Sequence, residues 1–124
     1  MTLLILRAYL MLIYFDLVLA RSDFRALYEK AHNCRVRSHV LAHDVEDRVC
    51  SAVDWACIWY WKEVLCLERS AVTSCLLRSR GIFSQMVIGT QQLPFKAHAW
   101  VEVDGRVVGD KPYVKEMYVV LDRC

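Results

Sequence analysis

The hydrophobic pattern of the chain changes period at Gly81. Before it, apolar residues recur at helical spacing in FRALYEKAH (24–32), RVCSAVDWACIWYW (48–61) and CLERSAVTSCLLRSR (66–80). After it come short runs of alternating and β-branched residues: FSQMVIGT (83–90), AHAWVEV (97–103), RVVGD (106–110) and MYVVLD (117–122). Helices first and strands second imply an α+β fold, with N-terminal helices packed on a small antiparallel sheet. At 124 residues the expectation is one domain over 1–124, helical to about residue 81 and strand-rich over 82–124.

Residues 2–20 are the most apolar stretch. Arg7 and Asp16 interrupt it, and a charge at bilayer depth costs several kcal/mol, so no stable membrane span is expected. Arg7 lies inside the apolar run rather than ahead of it, which disfavours a cleaved signal. The expectation is a helix buried in the domain or covered by a partner. With 56% hydrophobic and 24% charged residues and only four Gly and two Pro, the chain is not disordered. Sixteen basic against fourteen acidic residues give a net charge of +2, too little to argue for nucleic acid.

Local signals fix several boundaries. Ser22 and Asp23 cap a helix from Phe24 to about His32, Asp47 opens a second helix, and Cys66 begins a third that Gly81 terminates, with Arg78 and Arg80 in its last turn. Residues 34–45 carry no clear pattern, and Gln91–Pro94 reads as a connection. The hairpin around Asp104–Gly105 has two registers. A two-residue turn sets Glu102 opposite Val107. A three-residue loop with a bulge at Gly105 sets Glu102 opposite Arg106, Trp100 opposite Val108 and His98 opposite Asp110. The second register pairs charge with charge and apolar with apolar, and is the one expected.

A histidine oriented by a carboxylate on the next strand is half of a nucleophile-activating system. Cys66 is the expected nucleophile, because unpaired N–H groups at a helix start favour a thiolate and can hold an oxyanion through the Cys66 backbone. The third member is Asp110, with Asp104 its rival in the turn. Cys75 lies nine residues on, half a turn round the helix from Cys66, and is expected in the core. Cys50 and Cys57 read as small hydrophobes, and Cys124 is terminal. The six cysteines lack zinc-knuckle spacing and are read as free thiols of a reducing, cytoplasmic compartment, since a chain this apolar needs no disulfide framework. His39, His43 and Asp44 have two-ligand metal spacing without a third ligand, so they read as a solvated face and no metal or cofactor is expected. Trp55, Trp59 and Trp61 are expected in the core or along a groove wall.

Three motifs in order add a resemblance. Cys-Leu-x-Arg-Ser stands at 66–70, Leu-Leu-Arg-x-Arg-Gly at 76–81, and Pro-Phe-x-Ala-His-Ala-Trp-Val-Glu-Val-Asp-Gly at 94–105. Together they resemble the lasso-peptide biosynthesis B2 proteins, which are small transglutaminase-like cysteine proteases. The resemblance implies a transglutaminase-like, papain-like core and a triad of Cys66, His98 and Asp110. It implies removal of the leader from a ribosomally made precursor peptide, with a separate small B1-type recognition protein and a lasso cyclase as partners. Two positions depart from the pattern: Gly109 stands where many members have Asn, and Trp61–Leu65 stands where the family often has a Pro-containing loop and a Thr. Two other functions fit the same residues: acyl transfer to an amine by the same triad, and a non-enzymatic adaptor docking through residues 2–20.

Overall fold

The computed structural model describes residues 2–21, 23–34, 43–92, 95–110 and 114–123. Helix α1 (Thr2–Arg21) buries a stripe of Leu4, Ala8, Leu12 and Phe15. Its other face leaves Leu3, Leu6, Leu10, Tyr14 and Leu17 exposed. By length and composition α1 is also apolar enough to cross a membrane. Here its buried stripe packs on α3 (His43–Trp59) and α4 (Cys66–Ser79). Next along the chain, α2 (Phe24–His32) begins where the Asp23 carboxylate accepts the Ala26 N–H at 3.1 Å. The last carbonyls near its far end, those of His32 and Cys34, accept hydrogen bonds from the Arg78 guanidinium of α4 at 2.9 and 3.0 Å. Arg78, in the last turn of α4, thus joins the end of a neighbouring helix to the chain past its own, where its Nε donates to the Ser84 carbonyl at 2.9 Å.

Helix α4 closes with Gly81 at φ +90°. The Gly81 N–H donates to the Arg78 carbonyl and the Ile82 N–H to that of Leu77, the pair of bonds that ends a helix on a left-handed residue. Helix α3 starts at His43, four residues before the Asp47 expected from the pattern. Its inward stripe is Val49, Ala52, Val53 and Ala56, small residues that let α1 and α4 approach. Trp55, Trp59 and Trp61 are 51, 72 and 72% exposed, so of the two places expected for them, core or groove wall, the core is excluded. The tryptophans on α3 lie on the face turned away from those small residues. His39 and the side chains of His43 and Asp44 lie outside the described residues, and those described hold no cluster fit for a metal.

The sheet runs β3-β2-β1-β4, from β1 (Gln85–Gln92), β2 (Phe95–Val103), β3 (Arg106–Val108) and β4 (Val119–Arg123), with a single helical turn, α5 (Val114–Met117), before β4. All three pairings are antiparallel. The fold is α+β, with the long helices on one face of a small sheet and Val114 of α5 against Val87 and Trp100 on the other.

Two expectations need correction. The hairpin takes the two-residue turn: Val101 pairs with Val108, Glu102 with Val107 and Val103 with Arg106. Asp104 and Gly105 both have positive φ, 52° and 76°. Such a turn matches the twist of the flanking strands, whereas the bulged loop does not need Asp104 left-handed. The charge-pairing argument for the other register fails because both charges have better partners. Buried Glu102 accepts from the Trp100 indole at 2.9 Å and from Arg123, and Arg106 pairs with Glu46 on α3. Charge-assisted bonds to a buried carboxylate are worth about 1.5–3 kcal/mol, against a few tenths for a surface cross-strand pair.

The second correction concerns the thiols. Cys34 and Cys75 form a disulfide, their Cα atoms 5.5 Å apart. The helical rotation that turns Cys75 away from Cys66 turns it toward the end of α2, where Cys34 sits. The expectation that both are free thiols is overturned. Cys50, Cys57 and Cys66 are the free cysteines among the described residues.

Candidate active site

Strand β3 is short and leaves β2 unpaired on that edge before Val101. At this gap lies a cleft of about 230 Å³ whose walls include Cys66, Arg69, His98, Trp100, Gly109 and Asp110. Three separate parts of the fold meet there: the first turn of α4, the middle of β2 and the chain just past β3.

The carboxylate and imidazole are joined. His98 Nε2 lies 2.6 Å from Asp110 Oδ2, with side chains about one-quarter exposed. A carboxylate accepts, so Nε2 carries the proton and Nδ1 is the nitrogen left to take one. The pair does not arise from a ladder pairing, as the bulged register implied. It arises because Gly109, at φ +71°, bends the chain after β3 ends. Gly and Asn are the residues that adopt this backbone readily, so the departure from Asn is compatible with the same bend. Asp104 is exposed in the turn and takes no part.

The ring of His98 is held from the side. Tyr118 stacks on it at 5.4 Å between centroids and Trp100 at 6.0 Å. Both lean on Gly89, the β1 residue opposite His98. A Cβ at Gly89 would sit 2.7 Å from the Trp100 ring and 2.8 Å from Tyr118 Cβ, so the glycine is required by close approach.

Cys66 is the first residue of α4. Leu65, at the N-cap, supplies no side-chain acceptor, so the N–H groups of this turn are not used up by a cap. No hydrogen bond links the Cys66 sulfur to His98 among the described contacts; the two share the cleft. The rival free thiols are poor nucleophiles. Burial, then the charge of Glu46, pushes the Cys50 thiol up to about 11, and burial also raises Cys57.

Arg69, three residues after Cys66 and on the same side of α4, ties the cleft together. Its guanidinium pairs with Asp54 of α3 and reaches the Gly109 carbonyl at 3.4 Å. One side chain therefore links the helix that carries Cys66 to the bend that presents Asp110. The i, i+3 spacing was visible in the sequence, but its partners Asp54 and Gly109 were not, and neither were Tyr118 or Gly89 as supports of the ring.

A family model described as the transglutaminase-like superfamily matches residues 9–123. Among curated proteins, the microcin J25-processing protein McjB of Escherichia coli is 39% identical over 56 residues, 45% of this chain. The match spans 27% of that relative, so it supports the resemblance to the lasso-peptide B2 group over a partial stretch. No solved structure matches. With all but its first eight residues and its last inside the family model, the chain belongs to the transglutaminase-like superfamily.

Proposed function

We propose that this protein is a cysteine peptidase that removes the leader from a ribosomally made lasso-peptide precursor. The observation that carries the reading is the His98–Asp110 pair opening into the cleft that α4 heads with Cys66. McjB, whose name records the processing of microcin J25, supports the substrate class.

In this reading Cys66 sulfur gives its proton to His98 Nδ1 and attacks the carbonyl at the leader–core junction. The Cys66 backbone N–H, at the start of α4, faces the developing oxyanion. His98 passes the proton to the leaving amine, which frees the core peptide and leaves a thioester on the leader. Water, deprotonated by His98, then adds to the thioester, and the thiol is regenerated as the leader departs with a free carboxylate. Asp110 holds the ring in the required tautomer throughout. A small B1-type recognition protein would deliver the leader and a cyclase would take the freed amine. The cytoplasm, where the precursor is made, is the proposed compartment. No cofactor or metal enters the scheme.

The test is product mass. Incubation with a lasso-type precursor and a recognition protein is expected to release a leader with a free carboxyl terminus, unchanged by millimolar added primary amine. A leader that carries the amine instead establishes acyl transfer by the same residues, and an intact precursor overturns the reading. A second expectation concerns Arg69. Arg69→Met removes the link to Asp54 and Gly109 without touching the reacting atoms. A misplacement of that kind is expected to lower kcat about ten- to a hundredfold with KM little changed, read by steady-state cleavage of a labelled precursor.

A further inference from the structure

Asp16 is the sole acidic residue of the apolar helix α1, and its carboxylate reaches the segment that flanks Cys66. Lys62 Nζ lies 2.7 Å from Asp16 Oδ1, and the Tyr60 hydroxyl donates to Oδ2 at 3.1 Å. Both partners stand in the connection from α3 to α4, just ahead of the cysteine. Behind the cysteine, on the first turn of α4, is Glu68, only 1% exposed. Its Oε2 is sealed from solvent with no partner in ordinary hydrogen-bond geometry. The groups acting on this carboxyl are Asp16 from α1, Lys62 from the connection and the Leu65 backbone N–H at the N-cap.

The geometry points to Asp16 and Glu68 as a positioning pair for the nucleophile, clamping the chain on both sides of Cys66 onto α1. The inference rests on the reading of Cys66 as the nucleophile. A carboxyl sealed from solvent beside an ionised, only partly buried carboxylate is held in its protonated form. Burial opposes ionisation of Asp16, but Lys62 and Tyr60, both bonded to its carboxylate, hold it below its usual range. Burial first, and then the Asp16 charge, push Glu68 up to about 7. Glu68 is therefore the member that carries the proton, and Asp16 the one that keeps the charge. Ionisation of Glu68 sets a second negative charge between α1 and the first turn of α4, the turn that carries Cys66. A raised acid also favours the folded state only while protonated. That stability is complete below about 4.5 and is lost as the pH rises through about 7.

The test is the rate at which iodoacetamide alkylates Cys66, followed by mass spectrometry from pH 5.5 to 8.5, with Cys50 and Cys57 as internal controls. Glu68→Gln keeps the shape and cannot ionise. Its rate relative to the parent is expected near one at pH 6. By pH 8, above the raised Glu68 value, the ratio should rise about three- to tenfold. Asp16→Asn releases Lys62 and is expected to slow labelling about threefold or more at pH 6. Should it not fold by circular dichroism, Tyr60→Phe takes its place with the same expected direction. A ratio that stays flat with pH, or an Asp16 variant labelled as fast as the parent, overturns the pair. Labelling needs no peptide. A protein that cleaves no precursor but shows the rising ratio loses the peptidase reading and keeps the clamp, and cleavage with a flat ratio does the reverse.

Discussion

Cys66→Ala is expected to abolish leader release, with a rate lower by about 10⁴-fold or more and no thioester detectable by mass spectrometry. The magnitude follows from the chemistry. Without the sulfur there is no covalent route, and the remaining groups can only polarise a carbonyl and hold it. The fold should persist, because Cys66 is neither buried nor bonded to the core; a methyl at the head of α4 removes no packing that Ala71, Val72, Leu76 and Leu77 do not already supply. Leader affinity, measured by fluorescence anisotropy, should stay within about twofold. Cleavage at an undiminished rate would remove Cys66 from the chemistry. With Cys50 and Cys57 both raised by burial, no other free thiol among the described residues stands ready to replace it.

Gly89→Val is expected to have the largest effect on stability. Even a Cβ there would lie 2.7 Å from the Trp100 ring, and Trp100 is 1% exposed, anchored by its indole to Glu102. The ring cannot swing aside without breaking that bond and displacing Val87 and Val114, its buried neighbours. Overpacking of this kind costs about 2–3 kcal/mol, or roughly 10 °C in Tm for a domain of this size. The site should suffer with the core, because Trp100 and Tyr118 are the rings that flank His98. Differential scanning fluorimetry reads the first effect and Cys66 alkylation the second. An unchanged Tm would show that β1 and β2 can separate at this point, contrary to the close packing described.

What the sequence made legible follows from the range over which each signal acts. The caps at Asp23 and Gly81 act within one turn, and the structure places both where the residues indicated. The change from helical to strand period acts within one element, and the α+β architecture follows from it. The hairpin register was misread because the competing partners were remote. Glu102 is bound by Arg123, 21 residues away, and Arg106 by Glu46, 60 residues away. The Cys34–Cys75 bond was missed for the same reason, since it depends on where α2 ends relative to α4. His98 and Asp110 were brought together on an incorrect ladder, yet the contact forms because the bend at Gly109 achieves what a strand pairing would have done. Arg69, Tyr118, Gly89 and Glu68 carry no residue-type signature; their importance comes only from what the tertiary fold sets beside them.

The two apolar faces of α1 have opposite consequences for anyone preparing the protein. One face supplies Leu12 and Phe15 to the interior and Asp16 to the segment around Cys66, so trimming the chain from its front end would unseat both. The other presents Leu3, Leu6, Leu10 and Leu17 to water, a strip that invites self-association at the concentrations used for crystallisation or NMR. A well-behaved sample is therefore to be sought by exchanging those four leucines for polar helix formers while the helix itself is kept whole.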